Sequence, residues 1–150
     1  MAIFSSLAEL RAAIRKHGIK QIDFKFTDLF GRWHHITVPP SRVNQWLLTN
    51  GVGFDGSNFA GMSAVECGDL TLVPELETGY FDPFRTEPAI SFICRIVEAD
   101  SKKPFSRDPR SIALAAEAYL RKTGIADRSM WGPEFEYYVF DEVRVKNSNK

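Results

Sequence analysis

Few features of this sequence mark an exported or membrane-bound protein. It holds only two cysteines, and Cys67 and Cys94 lack the close spacing of metal ligands. We interpret both as reduced, mostly buried thiols, because disulfide frameworks and zinc sites need paired or clustered cysteines. Uninterrupted apolar runs are a few residues long, far short of the roughly 20 that a membrane-spanning helix needs. The sequence therefore predicts a cytoplasmic protein with no membrane partner.

Charge of one sign is not in excess either. Nineteen Lys and Arg residues balance nineteen Asp and Glu residues, so the formal net charge is zero. No segment combines clustered basic residues with interleaved aromatic ones, the pattern typical of a nucleic-acid surface. We therefore expect no nucleic-acid partner. Hydrophobic residues make up 44% of the chain, which is enough for an ordinary globular core.

The residues before the polar segment 100–107 carry the pattern of a small α+β sheet domain. Ser6 and Glu9 form a capping box, and Ser41 is expected to cap a second helix whose apolar face includes Trp46. Between the two helices, apolar residues recur at every second position, which predicts a β-hairpin. The predicted elements are a helix over 6–18, strands over 19–27 and 33–38, a helix over 41–50, and strands over 70–73 and 89–97.

The remaining segments predict a long loop and a second, incomplete unit. Residues 51–68 contain five glycines and read as a shaped loop, and the polar residues 100–107 read as a linker. Asp108 is expected to cap a third helix that Gly124 ends, and an aromatic-rich strand is predicted over 131–141. One helix cannot cover both faces of a strand, so this strand must add to the first sheet, pair with another copy or await further chain.

The predicted strand over 131–141 contains two acidic residues with metal-binding potential. Alternation along a strand would place Glu134 and Glu136 on one face, roughly 7 Å apart. Carboxylate oxygens are the ligands that Mg²⁺ and Mn²⁺ prefer, so each glutamate could bind one ion of a pair. The alternative is a solvated strand face with two unremarkable glutamates.

A second candidate site lies in the glycine-rich loop. Asp55, Ser57 and Asn58 place a carboxylate, a hydroxyl and an amide together where glycine allows the backbone to approach a ligand closely. The alternative is a local turn in which the Asp55 and Ser57 side chains hydrogen-bond only the neighbouring backbone. His34 and His35 are adjacent in a strand and should point to opposite faces, which argues against a shared metal ion.

Several short motifs cover nearly the whole chain outside the first helix and the tail. They are Phe-Asp-Gly-Ser at 54–57, the segments 66–74, 107–112 and 123–127, and Gly-Pro-Glu-Phe-Glu at 132–136. In order and spacing, these motifs closely resemble those of bacterial type I glutamine synthetases. The resemblance implies an α+β chain with a β-grasp amino-terminal domain over 1–104, followed over 105–150 by the first helix and strand of an incomplete catalytic domain.

The resemblance also implies an activity. In this family, ATP phosphorylates the γ-carboxylate of glutamate, and ammonia then displaces phosphate from the γ-glutamyl phosphate to form glutamine. Two Mg²⁺ or Mn²⁺ ions assist, and identical subunits form a dodecamer with shared active sites. The later motifs of the family are missing from these 150 residues, so we expect this chain alone to be inactive.

The same resemblance assigns roles to individual residues. Asp55 is expected to bind ammonium and withdraw its proton within the active site of the neighbouring subunit. Ser57 and Asn58 belong to the same ammonium-binding loop. Glu134 and Glu136 match the family's paired strand carboxylates, with one glutamate as a ligand to each metal ion.

Departures from the family pattern leave two alternatives open. Asn58 stands where a serine is usual, residues 60–62 replace a stretch that often holds tryptophan, and residues 66–69 are one residue longer than usual. All three lie near the ammonium loop, so the parent enzyme could instead be a γ-glutamyl-amine ligase. The other alternative is a non-catalytic module that uses the β-grasp sheet for protein association.

Overall fold

The sheet and its helices occupy most of the chain in the computed structural model, which describes residues 4–59, 61 and 68–146. The elements are α1 (Leu7–Lys16), β1 (Gln21–Thr27), β2 (Trp33–Val38), α2 (Gln45–Asn50), β3 (Val52–Asp55), β4 (Asp69–Pro74), β5 (Tyr80–Phe81), β6 (Ala89–Glu98) and α3 (Pro109–Thr123). We call the part from α1 to β6 the sheet domain. Among the described residues, every helix is too short or too polar to cross a bilayer.

The strands form one mixed sheet in the order β2-β1-β6-β4-β3, with β5 also beside β6. β1 and β6 are parallel neighbours at the centre, and every other pairing is antiparallel. The predicted hairpin of β1 and β2 is therefore confirmed. The later chain returns between β1 and β4, so the sheet joins elements far apart in sequence.

The core lies on one face of this sheet, under α1 and α2. Alternate residues of β1 and β6 are fully or almost fully buried there, as the period-two pattern predicts. They are Ile22, Phe24 and Phe26 from β1 and Ile90, Phe92, Cys94 and Ile96 from β6. Full burial of one large apolar side chain contributes about 1.5–3 kcal/mol. This core fixes the strand ends from which the candidate site projects.

The two cysteines have different outcomes. Cys94 is a free, buried thiol, as predicted. Burial raises the pKa of this thiol well above its usual range, so it stays protonated and unreactive near neutral pH. Cys67 lies outside the described residues.

The start of α1 follows the sequence prediction, but the start of α2 does not. The Ser6 hydroxyl accepts a hydrogen bond from the Glu9 amide at 3.2 Å and caps α1. Ser41 caps no helix, since it lies in a 3-10 turn over Pro40–Arg42. Asn44 caps α2 instead, accepting from the Leu47 amide at 2.8 Å.

This shift of the α2 start changes the face that the helix buries. Leu47 and Leu48 enter the core, whereas Trp46 is exposed, so its predicted place on the apolar face is wrong. A helix rotates by about 100° per residue, so an error in its first residue changes which side chains share a face.

Part of the predicted loop over 51–68 is a strand. Residues Val52–Asp55 pair with β4, from Val52 opposite Leu72 to Asp55 opposite Asp69. Phe54 packs against the core, so even this short segment alternates. Four residues between glycines carry too few alternations to predict a strand, and pairing with β4 supplies the rest of the stabilisation. The loop prediction is thus wrong for 52–55.

Residues 100–107 are not an extended linker but return along β6. The Phe105 amide donates to the Ile96 carbonyl at 2.9 Å, and Pro104 forms a bridge with Val97. Asp108 is buried and caps α3, as predicted, and its Oδ2 also accepts from the Ile96 amide. The start of α3 is thereby attached to the sheet. The boundary at 104 and 105 stays a prediction.

The strand predicted over 131–141 is absent, and this prediction is wrong. These residues form no helix or strand, and all their side chains are exposed. No strand among the described residues pairs with them, so neither edge of the segment has backbone partners. The backbone groups of an unpaired strand can hydrogen-bond only to water, so an extended strand is no more stable there than irregular structure.

Candidate functional site

The candidate site is the turn that follows β3. Asp55 is the last residue of β3, and a 3-10 turn over Gly56–Asn58 follows it. Oδ1 of Asp55 accepts hydrogen bonds from the Ser57 amide at 2.9 Å and the Ser57 hydroxyl at 2.6 Å. The Asn58 amide group donates to the Asp55 carbonyl at 3.4 Å. The three predicted loop residues therefore lie together in one turn.

The Asp55 carboxylate is exposed and held in its charged form. The side-chain hydrogen bond from Ser57, followed by that from its amide, lowers the pKa of Asp55 below the usual range despite some desolvation. Oδ2 accepts no hydrogen bond from any described residue. Such an oxygen can accept a hydrogen bond from a small cation such as ammonium. The same contacts also match the local-turn alternative, so the geometry is compatible with both.

Gly56 fixes the first half of this turn against β4. Its amide donates to the Gly68 carbonyl at 2.7 Å, and the residue is buried. A Cβ added at Gly56 would overlap the side chain of Leu70. A larger residue at this position would therefore require the buried Leu70 side chain to move.

Phe59 fixes the second half of the turn through an aromatic cluster. Its amide donates to the Gly56 carbonyl at 3.2 Å. Its ring lies 4.6 Å from His34, 5.1 Å from Phe26 and 5.8 Å from Phe54, measured between ring centroids. This cluster was not predicted from the sequence. The available signal was that Phe26 and His34 alternate onto one face of the predicted hairpin.

His34 and His35 do lie on opposite faces of β2, as predicted. His34 is half-buried and its Nε2 lies 2.9 Å from Oδ2 of buried Asp28. His35 is exposed. The hydrogen bond with His34 lowers the pKa of Asp28, with smaller contributions from the Arg32 and Phe30 amides, although burial opposes the shift.

The second pair of predicted site residues is not assembled. Glu134 and Glu136 lie on the irregular segment after α3, and both side chains are exposed. With no strand there, alternation gives them no common face. Within residues 4–59, 61 and 68–146, no group of three or more His, Cys, Asp or Glu side chains could hold a metal ion. The assignment of Glu134 and Glu136 as ligands to two metal ions stays a prediction.

Comparison with known proteins identifies the family. Residues 18–99 match the family described as glutamine synthetase, beta-Grasp domain. The chain belongs to the glutamine synthetase family. It is 42% identical over 134 residues to the glutamine synthetase of Azotobacter vinelandii, covering 89% of this chain and 29% of that protein. It is 41% identical over 138 residues to the 3-hydroxylaminophenol mutase of Cupriavidus pinatubonensis, covering 92% and 29%.

Solved structures confirm the fold. The glutamine synthetase of Plasmodium falciparum superimposes with a TM-score of 0.71 at 21% identity, over 81% of this chain and 23% of that one. The predicted α+β class and the β-grasp architecture are thus confirmed, as is the resemblance on which they rested. The chain spans under a third of the length of the curated relatives it matches.

Proposed function

We propose that this chain is the amino-terminal part of an ATP-dependent glutamate–ammonia ligase that forms glutamine through γ-glutamyl phosphate. The observation that carries the proposal is membership of the glutamine synthetase family, with about 40% identity to several bacterial glutamine synthetases. The charged Asp55 carboxylate on a fixed turn supports it. We propose a cytoplasmic protein.

Asp55 binds ammonium in this proposal and takes one of its protons. The carboxylate becomes a carboxylic acid, and the ammonia released attacks the γ-acyl carbon with expulsion of phosphate. Ser57 orients the carboxylate through Oδ1 and leaves Oδ2 for the cation. Asn58 fixes the backbone of the same turn. A charge-assisted contact of this kind is stronger than a neutral hydrogen bond.

Glu134 and Glu136 are proposed as ligands to two Mg²⁺ or Mn²⁺ ions in a complete active site. In this chain they are exposed on an irregular segment, and two carboxylates leave most of a coordination shell to water. We therefore attribute no catalytic step to metal ions held by this chain, and propose that the chain alone is inactive. The rest of the full-length chain, in identical subunits arranged as a dodecamer with shared sites, would supply the remaining groups.

The test of the proposal is Asp55→Asn in the full-length protein. The variant keeps the shape of the side chain and removes its charge. We expect the KM for ammonium to rise and ammonia-dependent turnover to fall by roughly 100-fold, with unchanged KM values for glutamate and ATP. Asp100→Asn, at an exposed aspartate in the turn after β6, is the matched control. Equal losses for all three substrates would reduce Asp55 to a residue that shapes the turn.

Two other reactions compete with this proposal. The departures at Asn58 and at 60–62 and 66–69 leave room for an amine other than ammonia, which would make the parent a γ-glutamyl-amine ligase. The 41% identity to a 3-hydroxylaminophenol mutase favours an isomerase with the same fold. Assays of the full-length protein with ammonium, with diamines and with 3-hydroxylaminophenol separate the three reactions. If no substrate is turned over, the remaining candidate is a non-catalytic association module.

A further inference from the structure

We propose that His34 is a positioning residue for the Asp55 turn and acts through the ring of Phe59. The inference deepens the proposed function, on which it rests, by adding a residue to the ammonium site. His34 lies on β2, the first strand in the sheet order, whereas Asp55 ends β3, the last strand in that order. The aromatic cluster joins these two ends.

The His34 ring is itself held in one orientation. It lies opposite Phe26 in the register of β1 and β2, with their ring centroids 5.4 Å apart. Its Nε2 pairs with Oδ2 of Asp28, while Oδ1 of Asp28 accepts from the Phe30 and Arg32 amides at 2.8 and 3.0 Å. The hairpin turn therefore orients Asp28, and Asp28 orients the histidine.

The oriented ring forms one wall of a socket for Phe59. The His34 and Phe59 rings meet edge to face at 64°, with centroids 4.6 Å apart. Phe26 packs edge to face on Phe59 as well, and Phe54 completes the socket from β3. Three strands thus contribute to holding one side chain.

Phe59 transmits this constraint to Asp55 through one turn of backbone. Its amide closes the 3-10 turn by donating to the Gly56 carbonyl, and Asp55 caps the same turn. The other side of the turn is already held by the Gly56 amide on the Gly68 carbonyl. Loss of the His34 ring would remove one wall of the socket, so Phe59 could shift and would hold the Asp55 side of the turn less firmly. Even small displacements of the carboxylate would weaken binding, because binding groups must be held within about 0.5 Å.

The kinetic test uses the full-length protein and two adjacent histidines. His34→Ala is expected to raise the KM for ammonium roughly tenfold, with unchanged KM values for glutamate and ATP. His35→Ala, which alters an exposed ring on the other face of β2, is expected to change none of them. His34→Gln removes the ring but can still hydrogen-bond Asp28, and it serves as a second variant in case His34→Ala folds poorly. It should raise the KM for ammonium by the same factor. An ammonium KM that stays at the wild-type value in both His34 variants would overturn the inference.

A double variant tests the route through Phe59. Phe59→Leu should raise the ammonium KM by itself, and adding His34→Ala should raise it no further, since coupled residues are not additive. Additive effects would show that His34 acts by some other route and would overturn the inference.

Hydrogen exchange separates this inference from the proposed function. Faster exchange of the Ser57 and Phe59 amides in His34→Ala, with His35→Ala unchanged, supports the mechanical link whatever the enzyme's substrate. If Asp55→Asn then has no selective effect on ammonium, the proposed function fails and the link stands. If Asp55→Asn has its selective effect but His34→Ala changes neither exchange nor KM, the inference alone fails.

Discussion

Alternating apolar residues occur both in the sheet domain and in residues 131–141, yet only those of the sheet domain are buried. Phe24 and Phe92 are 0% exposed, whereas Phe135 is 87% exposed. β1 and β6 have partner strands on both sides, while residues 131–141 pair with no described strand. Alternation in a sequence therefore indicates only that a segment is compatible with a covered, pleated surface. It becomes a strand only where other elements supply the cover.

The same substitution in the two regions should give the largest contrast. Phe92→Ala removes a ring from the centre of the core and is expected to destabilise the chain by about 3–5 kcal/mol. Phe135→Ala removes an exposed ring and should change the free energy of unfolding by no more than about 0.5 kcal/mol. Urea denaturation monitored by circular dichroism measures both. A cost above about 2 kcal/mol for Phe135→Ala would show that the segment has a packed partner.

Glycines that end helices sharpen the same contrast. Gly51 ends α2 with φ +75° and ψ −163°, a conformation essentially restricted to glycine, and an added Cβ would overlap the Leu72 carbonyl oxygen. Gly124 ends α3 with φ +71°, and nothing lies within 4 Å of an added Cβ. We expect Gly51→Ala to cost about 3 kcal/mol and Gly124→Ala about 1 kcal/mol. Denaturation measures both costs. Equal costs would mean that backbone strain alone sets the loss of stability and that packing against β4 does not contribute.

Two ion pairs should differ in their dependence on pH. Burial acts to raise the pKa of Asp82, but hydrogen bonds from Lys25, the Phe84 amide and Ser91 outweigh this effect and lower the pKa to about 2. Because the folded pKa lies below the unfolded value of 3.8, the stabilisation is present above pH 4 and is lost as the pH falls toward 2.

The loss over this pH range should be about 2 kcal/mol, and it should disappear in Asp82→Asn. The exposed pair of Arg144 and Glu142 lies after α3, so Glu142→Gln is the control and should leave the pH profile unchanged. Denaturation curves between pH 2 and pH 5 measure the difference. A wild-type profile in Asp82→Asn would assign the acid sensitivity to other carboxylates.

Local patterns predicted what local physics decides. The alternation of Ile22, Phe24 and Phe26 gave the hairpin, and Asp108 with Pro109 gave the start of α3. The α2 start failed because Ser41 and Asn44 are both good caps, and the choice between them depends on how Leu47 and Leu48 enter the core. Tertiary packing, which one sequence does not display, made that choice.

The site was predictable to the same limited extent. Asp55, Ser57 and Asn58 are neighbours in sequence, so their meeting in one turn needs no long-range information. Phe59 and His34 are far apart in sequence and meet only because β2, which carries His34, and β3, which precedes Phe59, belong to one sheet. Glu134 and Glu136 depended on a strand that needs partners, so the metal assignment rests on the family resemblance and stays a prediction.

The smallest expected effect concerns a surface ion pair on α3. Glu117 and Arg121 are four residues apart, with side chains 41% and 59% exposed. Such a pair contributes about 0.3–0.5 kcal/mol, so Glu117→Gln should lower the free energy of unfolding by that amount and less at high salt. Denaturation at 0.05 and 1 M NaCl measures this change in the free energy of unfolding, because the added salt shortens the screening length from over 10 Å to about 3 Å. Glu142→Gln, outside any helix, is the control. A salt-independent cost above about 1 kcal/mol would mean that this face of α3 is covered. The part of the chain after the sheet domain would then be less exposed than its side chains suggest.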